Sequence, residues 1–367
     1  MILKKNKLAA HIAALIILAS CSTTSKNLQR NSAEFLEATD NRNLQKIYDY
    51  QNYFVNDLEI ILQAIESRAL NQEQIRDARL LKKNYQKILA KDKFLIQLNR
   101  NQQHSSELIK FIYQLSLPIN ITWTDTKQSP LPENLLSTKI NGFCLSLYDD
   151  SILSINQEIN KSTDSILVIY SKEYESFIQR LESYNSSLTT FKYNSTNFQE
   201  FAAETLGINL SEGRFKKISS LNPNQNLKFN PRPRSDVQQI VLFIKPSEYK
   251  AMIPALRYHG GNKFKYLNFI SSLEEINEPL QLLDYEDSFV PISILLSEKI
   301  QNNNSLSLDK FLEQGILNDW LLIEVLKQSG VQSARIKGAT GTIFYKSNSC
   351  AMREIPLKRI SADLFSS

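Results

Sequence analysis

Glycine, histidine and cysteine are all scarce in this chain, with nine, three and three residues among 367. The shortage of glycine goes with the absence of any GxGxxG, GxxxxGK[ST] or GxSxG, which removes the usual phosphate cradles and the nucleophile elbow. His11 stands in an apolar N-terminal stretch, so only His104 and His259 remain, and Cys144 and Cys350 lie far apart without a Cys-x-x-Cys. No zinc ligand set is available on that count, and neither a metal nor a cofactor is expected. An excess of charge of one sign is also lacking: the formal charge is +5, and setting aside Lys4, Lys5 and Lys7 leaves +2. Lysines and acids alternate along the helical stretches, which describes a solvated surface and no nucleic-acid groove. The adjacent acids Asp149 and Asp150 are read as a solvated helix start in preference to a catalytic carboxylate pair. With no catalytic signature, a non-enzymatic binding or scaffolding protein is expected.

One long apolar run is present, and it lies at the start. After Lys4, Lys5 and Lys7, residues Leu8 to Leu18 are apolar apart from His11, too short a stretch to span a bilayer with ordinary flanks. It ends in Leu18-Ala19-Ser20-Cys21, which resembles the bacterial lipobox. That resemblance implies a signal peptide over residues 1–20 and lipidation of Cys21; an ordinary signal peptide, or an anchor helix that contains a cysteine, is the alternative. Acyl chains at about 0.8 kcal/mol per buried methylene would hold the mature chain on its membrane. Ser22 stands where Asp would signal retention at the inner membrane, so the outer membrane, periplasmic face, is the expected location. Residues 21–33 are read as a lipidated tether, since Ser22 to Asn31 is polar except for Leu28.

Residues 34–70 carry a helical pattern, with Ile47, Phe54, Leu58, Ile61 and Ile65 at three- and four-residue steps. A second helix follows Asn71, with Ile75, Ala78, Leu81, Tyr85 and Ile88 on one face. Beyond Ala90 short apolar runs alternate with amphipathic helices. Phe94–Leu98, the helix Ser105–Leu115 and Ile119–Trp123 form a βαβ unit, and the alternation continues through Ser165–Tyr170, Ser187–Tyr193, Val237–Ile244 and Lys265–Phe269. An α/β fold with parallel sheets follows. A helix is expected near Ser151 to Asn160, a basic helix around Gly213 to Leu221 after a turn at Glu212-Gly213-Arg214, and two helices at Asp309–Leu312 and Asp319–Gln328. Pro279 to Leu296 is ambiguous, and Gly341–Tyr345 is read as the closing strand.

Several phrases resemble one family in order. They are Phe201 to Phe243, with its basic helix and Leu227-Lys228-Phe229-Asn230-Pro231-Arg232-Pro233-Arg234-Ser235-Asp236, then Ile253-Pro254-Ala255-Leu256-Arg257-Tyr258-His259, and Lys337-Gly338-Ala339-Thr340-Gly341-Thr342 followed by a short strand and a Cys. The family is that of the outer-membrane lipoproteins that activate penicillin-binding proteins, whose C-terminal domain is similar to a type I periplasmic solute-binding protein. The resemblance runs from about Ala78 to the end, roughly three quarters of the chain. It departs from the family at two points: the long helical-repeat domain is reduced to the helices at Glu34 to Ser67, and the first strand with its Pro-Leu-Ser-Gly loop is not found.

The resemblance implies a two-lobed domain over residues 71–367. Lobe one would comprise about 72–141 and 290–337, truncated by comparison with the family; lobe two would comprise about 142–275 and 338–367. It further implies a non-enzymatic lipoprotein that binds and activates a bifunctional penicillin-binding protein, a peptidoglycan synthase, with a solute-binding receptor of the same fold as the alternative. Arg214, Lys216, Lys217, Arg232 and Arg234 would be mainly structural and partly a partner contact. The family fold also brings Cys144 and Cys350 near the hinge in an oxidising compartment, which makes a disulfide plausible. It would close a loop of about 205 residues, for which the chain-entropy model gives on the order of 5 kcal/mol as an upper figure. Two free, buried cysteines acting as small apolar residues are the alternative.

Overall fold

The computed structural model describes residues 72–364, apart from short stretches at 100–103, 115–116, 125–130, 162–164, 186, 195–196, 222, 224–225, 261–262 and 303–305. Cys21, the tether at 21–33 and the helical pattern at 34–70 lie outside the described residues. No helix among the described residues is long and apolar enough to cross a membrane.

The larger lobe is built on a six-stranded sheet in the order β11-β7-β6-β5-β3-β4. Its strands are β3 (Ser165–Tyr170), β4 (Leu188–Lys192), β5 (Val237–Phe243), β6 (Lys265–Asn268), β7 (Ser288–Pro291) and β11 (Leu357–Arg359). All pairs are parallel except β11 with β7. Ile166 to Ile169 and Ile240 to Phe243 are each four consecutive buried residues. Such continuous apolar runs suit central strands covered on both faces. The cover comes from α3 (Leu147–Ile159), α4 (Glu175–Tyr184), α5 (Phe198–Thr205) and α7 (Tyr249–Gly260), while α6 (Ile208–Leu221) follows α5 and buries only Ile208.

The smaller lobe holds α1 (Gln72–Leu89), β1 (Phe94–Asn99), α2 (Ser105–Gln114) and β2 (Ile119–Thr124), with β1 and β2 paired in parallel. After β7 the chain returns to it through α8 (Ile294–Asn302) and α9 (Leu308–Gln328), then forms an antiparallel sheet of β8 (Ser333–Lys337), β9 (Thr342–Lys346) and β10 (Met352–Glu354). Thirteen residues of α9 are buried, which makes it the main support of this lobe. Gln328 at its end closes on β1, accepting from Leu95 N at 2.9 Å and donating to Leu95 O at 2.9 Å.

Several boundaries differ from expectation for local reasons. The helix expected near Ser151 starts at Leu147, because the Ser146 hydroxyl caps it by accepting from Asp149 N at 3.1 Å. Glu212-Gly213-Arg214 is no turn; it lies inside α6, which begins at Ile208. The two helices expected around Asp309 and Asp319 are one, interrupted in composition only by Gly315. A Cβ at that position would stand 3.0 Å from the Ala339 Cβ, so close packing and not chain termination accounts for the glycine. Gly341–Tyr345 is not the closing strand, since β10 and β11 follow it and β8 precedes it. Val290 and Pro291 belong to β7 and pair with β11 in the large sheet, so the chain leaves that sheet after residue 291.

Candidate functional site

Two segments run side by side where the lobes meet. Phe143 and Ala351 form an isolated parallel bridge, with Cys144 N donating to Ala351 O at 2.9 Å and Ala351 N to Gly142 O at 2.7 Å. Cys144 and Cys350 are joined in a disulfide, Cα to Cα 4.8 Å. Gly142 has φ +97°, a left-handed turn where a side chain would be strained and would meet Ile323.

Beside this staple lies a buried ion network. Arg353 on β10 is 3.2 Å from Asp150 on α3, and the two side chains are 2% and 4% exposed. The guanidinium also lies over the Phe143 ring, 4.3 Å from its centroid. Asp319, fully buried on α9, accepts from Ala339 N at 2.7 Å, Thr340 N at 2.9 Å and Thr340 Oγ1 at 2.5 Å. It therefore fastens the Gly338 to Gly341 turn, where a Cβ at Gly338 would come within 2.7 Å of the Asp319 carboxylate. Burial pushes the Asp150 carboxyl up to about 6, against the pull of Arg353, and burial likewise raises Asp319. Asp150 is thus not the solvated helix-start residue expected from its neighbour. Asp149 is the residue on the surface side, paired with Arg180.

In open α/β sheets the carboxyl ends of the strands form the crevice that takes ligands. Here that end of β3, β5 and β6 is filled by the chain's own rings. Tyr148 stands 4.7 Å from Phe269 and 5.4 Å from Phe177, while Phe269 packs 4.7 Å from Phe243 and 5.7 Å from Tyr174. The Tyr148 hydroxyl donates to the Glu274 carboxylate. Burial pushes Glu274 up to about 7; the Tyr148 hydrogen bond opposes the rise, and Asp309, Glu275 and Glu313 add to it.

The expected basic segment is divided by the structure. Helical spacing puts Leu210, Arg214, Lys217, Ile218 and Leu221 on one stripe of α6, opposite the inward side of Ile208, Phe215 and Ser219. That stripe is open to solvent: Leu210 is 67% exposed, Ile218 52% and Leu221 79%. Arg232, also exposed, lies on the following strap, whose Phe229 packs on Phe215 with centroids 4.8 Å apart. Lys216 falls off the stripe and pairs with Glu212 at 2.9 Å, and Arg234 is clamped by Asp236 at 2.6 Å. Arg234 N also donates to Leu206 O, so its part is to hold the strap against the lobe.

Arg353, Asp319, Glu274 and Tyr148 were not anticipated from sequence. Asp319 did carry a signal: an acid between Leu317 and Trp320 on an otherwise apolar helix face must find buried donors. Among the described residues no group of three His, Cys, Asp or Glu could hold a metal ion.

No protein-family model matches the chain, and no curated protein matches it. Among solved structures, it is similar to an ABC transporter substrate-binding protein from Desulfitobacterium hafniense in complex with Leu. The identity is 9% and the TM-score 0.37, over 74% of this chain and 98% of that one.

Proposed function

We propose that the chain is a lipid-anchored, non-enzymatic regulator that binds a bifunctional peptidoglycan synthase at the outer membrane and favours its active state. Cys21 carries the anchor, and the two-lobed domain, of the type I periplasmic-binding-protein kind, carries the contact. The observation that supports the reading most is the exposed stripe of α6, in which Leu210, Ile218 and Leu221 flank Arg214 and Lys217. Apolar anchors rimmed by cations are the composition of a protein contact, with the charges steering encounter and the apolar groups supplying contact area. The carboxyl end of the large sheet argues in the same direction, since Tyr148 and Phe269 pack against each other there with centroids 4.7 Å apart. Activation of this kind is a differential affinity for two states of the partner, and it requires no catalytic group on the activator.

The test is a reconstituted polymerisation assay with the cognate synthase. The purified protein alone should neither cut nor polymerise peptidoglycan, and it should raise the rate of the synthase. Turnover by the isolated protein, or an unchanged synthase rate, would contradict the proposal. A ligand-induced thermal shift with small solutes, lost when Tyr148 is changed, would favour a receptor instead.

A further inference from the structure

At the opposite end of the large sheet, the amino-terminal edge of β6 and β7, the surface is concave and basic. A cavity of about 340 Å³ is lined by Arg257, Lys263, Lys265, Asp287 and Arg359 around the rings of Phe264, Tyr266 and Phe289. The topology explains the gathering. Arg257 ends α7, which runs back from β5; Lys265 opens β6, Asp287 precedes β7, and the antiparallel β11 brings Arg359 opposite Phe289.

The cations are ordered before any ligand arrives. Arg257 lies over Tyr266, Lys263 over Phe264 and Lys265 over Phe289, with the charge 5.6, 5.4 and 4.5 Å from the ring centroids. Lys263 also donates to Arg234 O at 2.9 Å. Carboxylates balance only part of the charge: Asp287 pairs with Arg359 at 2.6 Å, and Glu158 pairs with Lys265. Four cations against two acids leave an excess of two positive charges. Arg257 Nη2 is buried and has no hydrogen-bond acceptor among the described residues. A buried guanidinium nitrogen without an acceptor is costly, and an anionic oxygen would satisfy it.

We propose that this cavity is a binding site for a small organic anion, a carboxylate or phosphate carried on a body about the size of a sugar or nucleoside. The size argument selects the body: a cavity at the lower end of the range for ligand pockets is far larger than a lone inorganic ion needs. Its walls combine apolar ring surface with a few convergent donors, the usual composition of such sites. The site lies at the other end of the strands from the ring-filled strand ends, and it stands independently of the synthase proposal.

Calorimetric titration of the full chain tests it with four probes: N-acetylmuramic acid, adenosine monophosphate, N-acetylglucosamine and inorganic phosphate. At least one of the first two should bind about ten-fold or more tightly than both the neutral sugar and phosphate alone, and which of them does so identifies the anion. Arg257→Gln should weaken that binding about ten-fold. Arg359→Glu, a change at an exposed side chain, should weaken it as well. Binding no tighter than that of inorganic phosphate, no binding by either ring-borne anion, or affinity indifferent to both substitutions would overturn the proposal.

Discussion

The two lobes each contain a parallel βα unit, yet they solve the burial problem differently. In the large lobe β3 and β5 have helices on both sides and bury four residues in succession. In the small lobe β1 alternates buried and open positions, no residue of β2 is fully buried, and Leu95 and Trp123 are 51% and 42% exposed. A two-stranded sheet with one covered face has little independent stability. The small lobe therefore depends on α9 and on the junction at Cys144 and Arg353, while the large lobe is built round its own six-stranded sheet.

The strongest way to break that arrangement is to remove the buried cation at that junction. Arg353→Leu leaves Asp150 buried without its partner, and it should lower stability in urea unfolding by about 4 kcal/mol. Adding Asp150→Asn should recover much of the loss, because the uncompensated charge is then gone. A loss below about 1 kcal/mol for the single variant would place the network outside the stability of the fold.

Cutting the staple should be next in size. Cys144→Ala with Cys350→Ala is expected to cost about 3 kcal/mol, mainly through the freer unfolded chain. Hydrogen exchange sharpens the comparison: amides of β1 and β2 should lose protection before those of β3 and β5. Equal loss in both sheets would mean that the lobes unfold as one unit.

A more gradual effect lies in the pH dependence. Asp150 and Glu274 have folded-state carboxyls raised from 3.8 to about 6 and from 4.5 to about 7. The folded protein thus binds more protons than the unfolded chain between those values, and stability should fall as pH rises through about 4 to 7, by up to about 3 kcal/mol per group. Glu274→Gln should flatten the upper part of the slope and Asp150→Asn the lower part. Stability that rises across this window, or the same slope in both variants, would contradict the assignment.

Much of the α/β alternation was legible in the sequence, because buried parallel strands such as Ser165–Tyr170 are continuous apolar runs bounded by polar turns. Local signals failed where a distant residue decided the outcome. Gly315 reads as a helix interruption until Ala339 is seen packed on it, and Asp150 reads as solvated until Arg353, 203 residues later, arrives beside it. The short strands β10 and β11 have only three residues each, too few for a period to show. In the basic segment the charges were visible, but their division was not. Lys216 pairs with Glu212 and Arg234 with Asp236, while Arg214, Lys217 and Arg232 stand exposed beside them.

That division makes the central claim testable in a single experiment. Synthase rate is measured with the wild-type protein, with Arg214→Glu/Lys217→Glu on the open stripe, and with Lys216→Glu on the flank, each over a range of salt. The account predicts that the stripe variant loses about ten-fold or more in apparent affinity, with a weaker salt dependence, while the flank variant stays within about two-fold of wild type. Activation by the stripe variant equal to wild type at every salt concentration would contradict it.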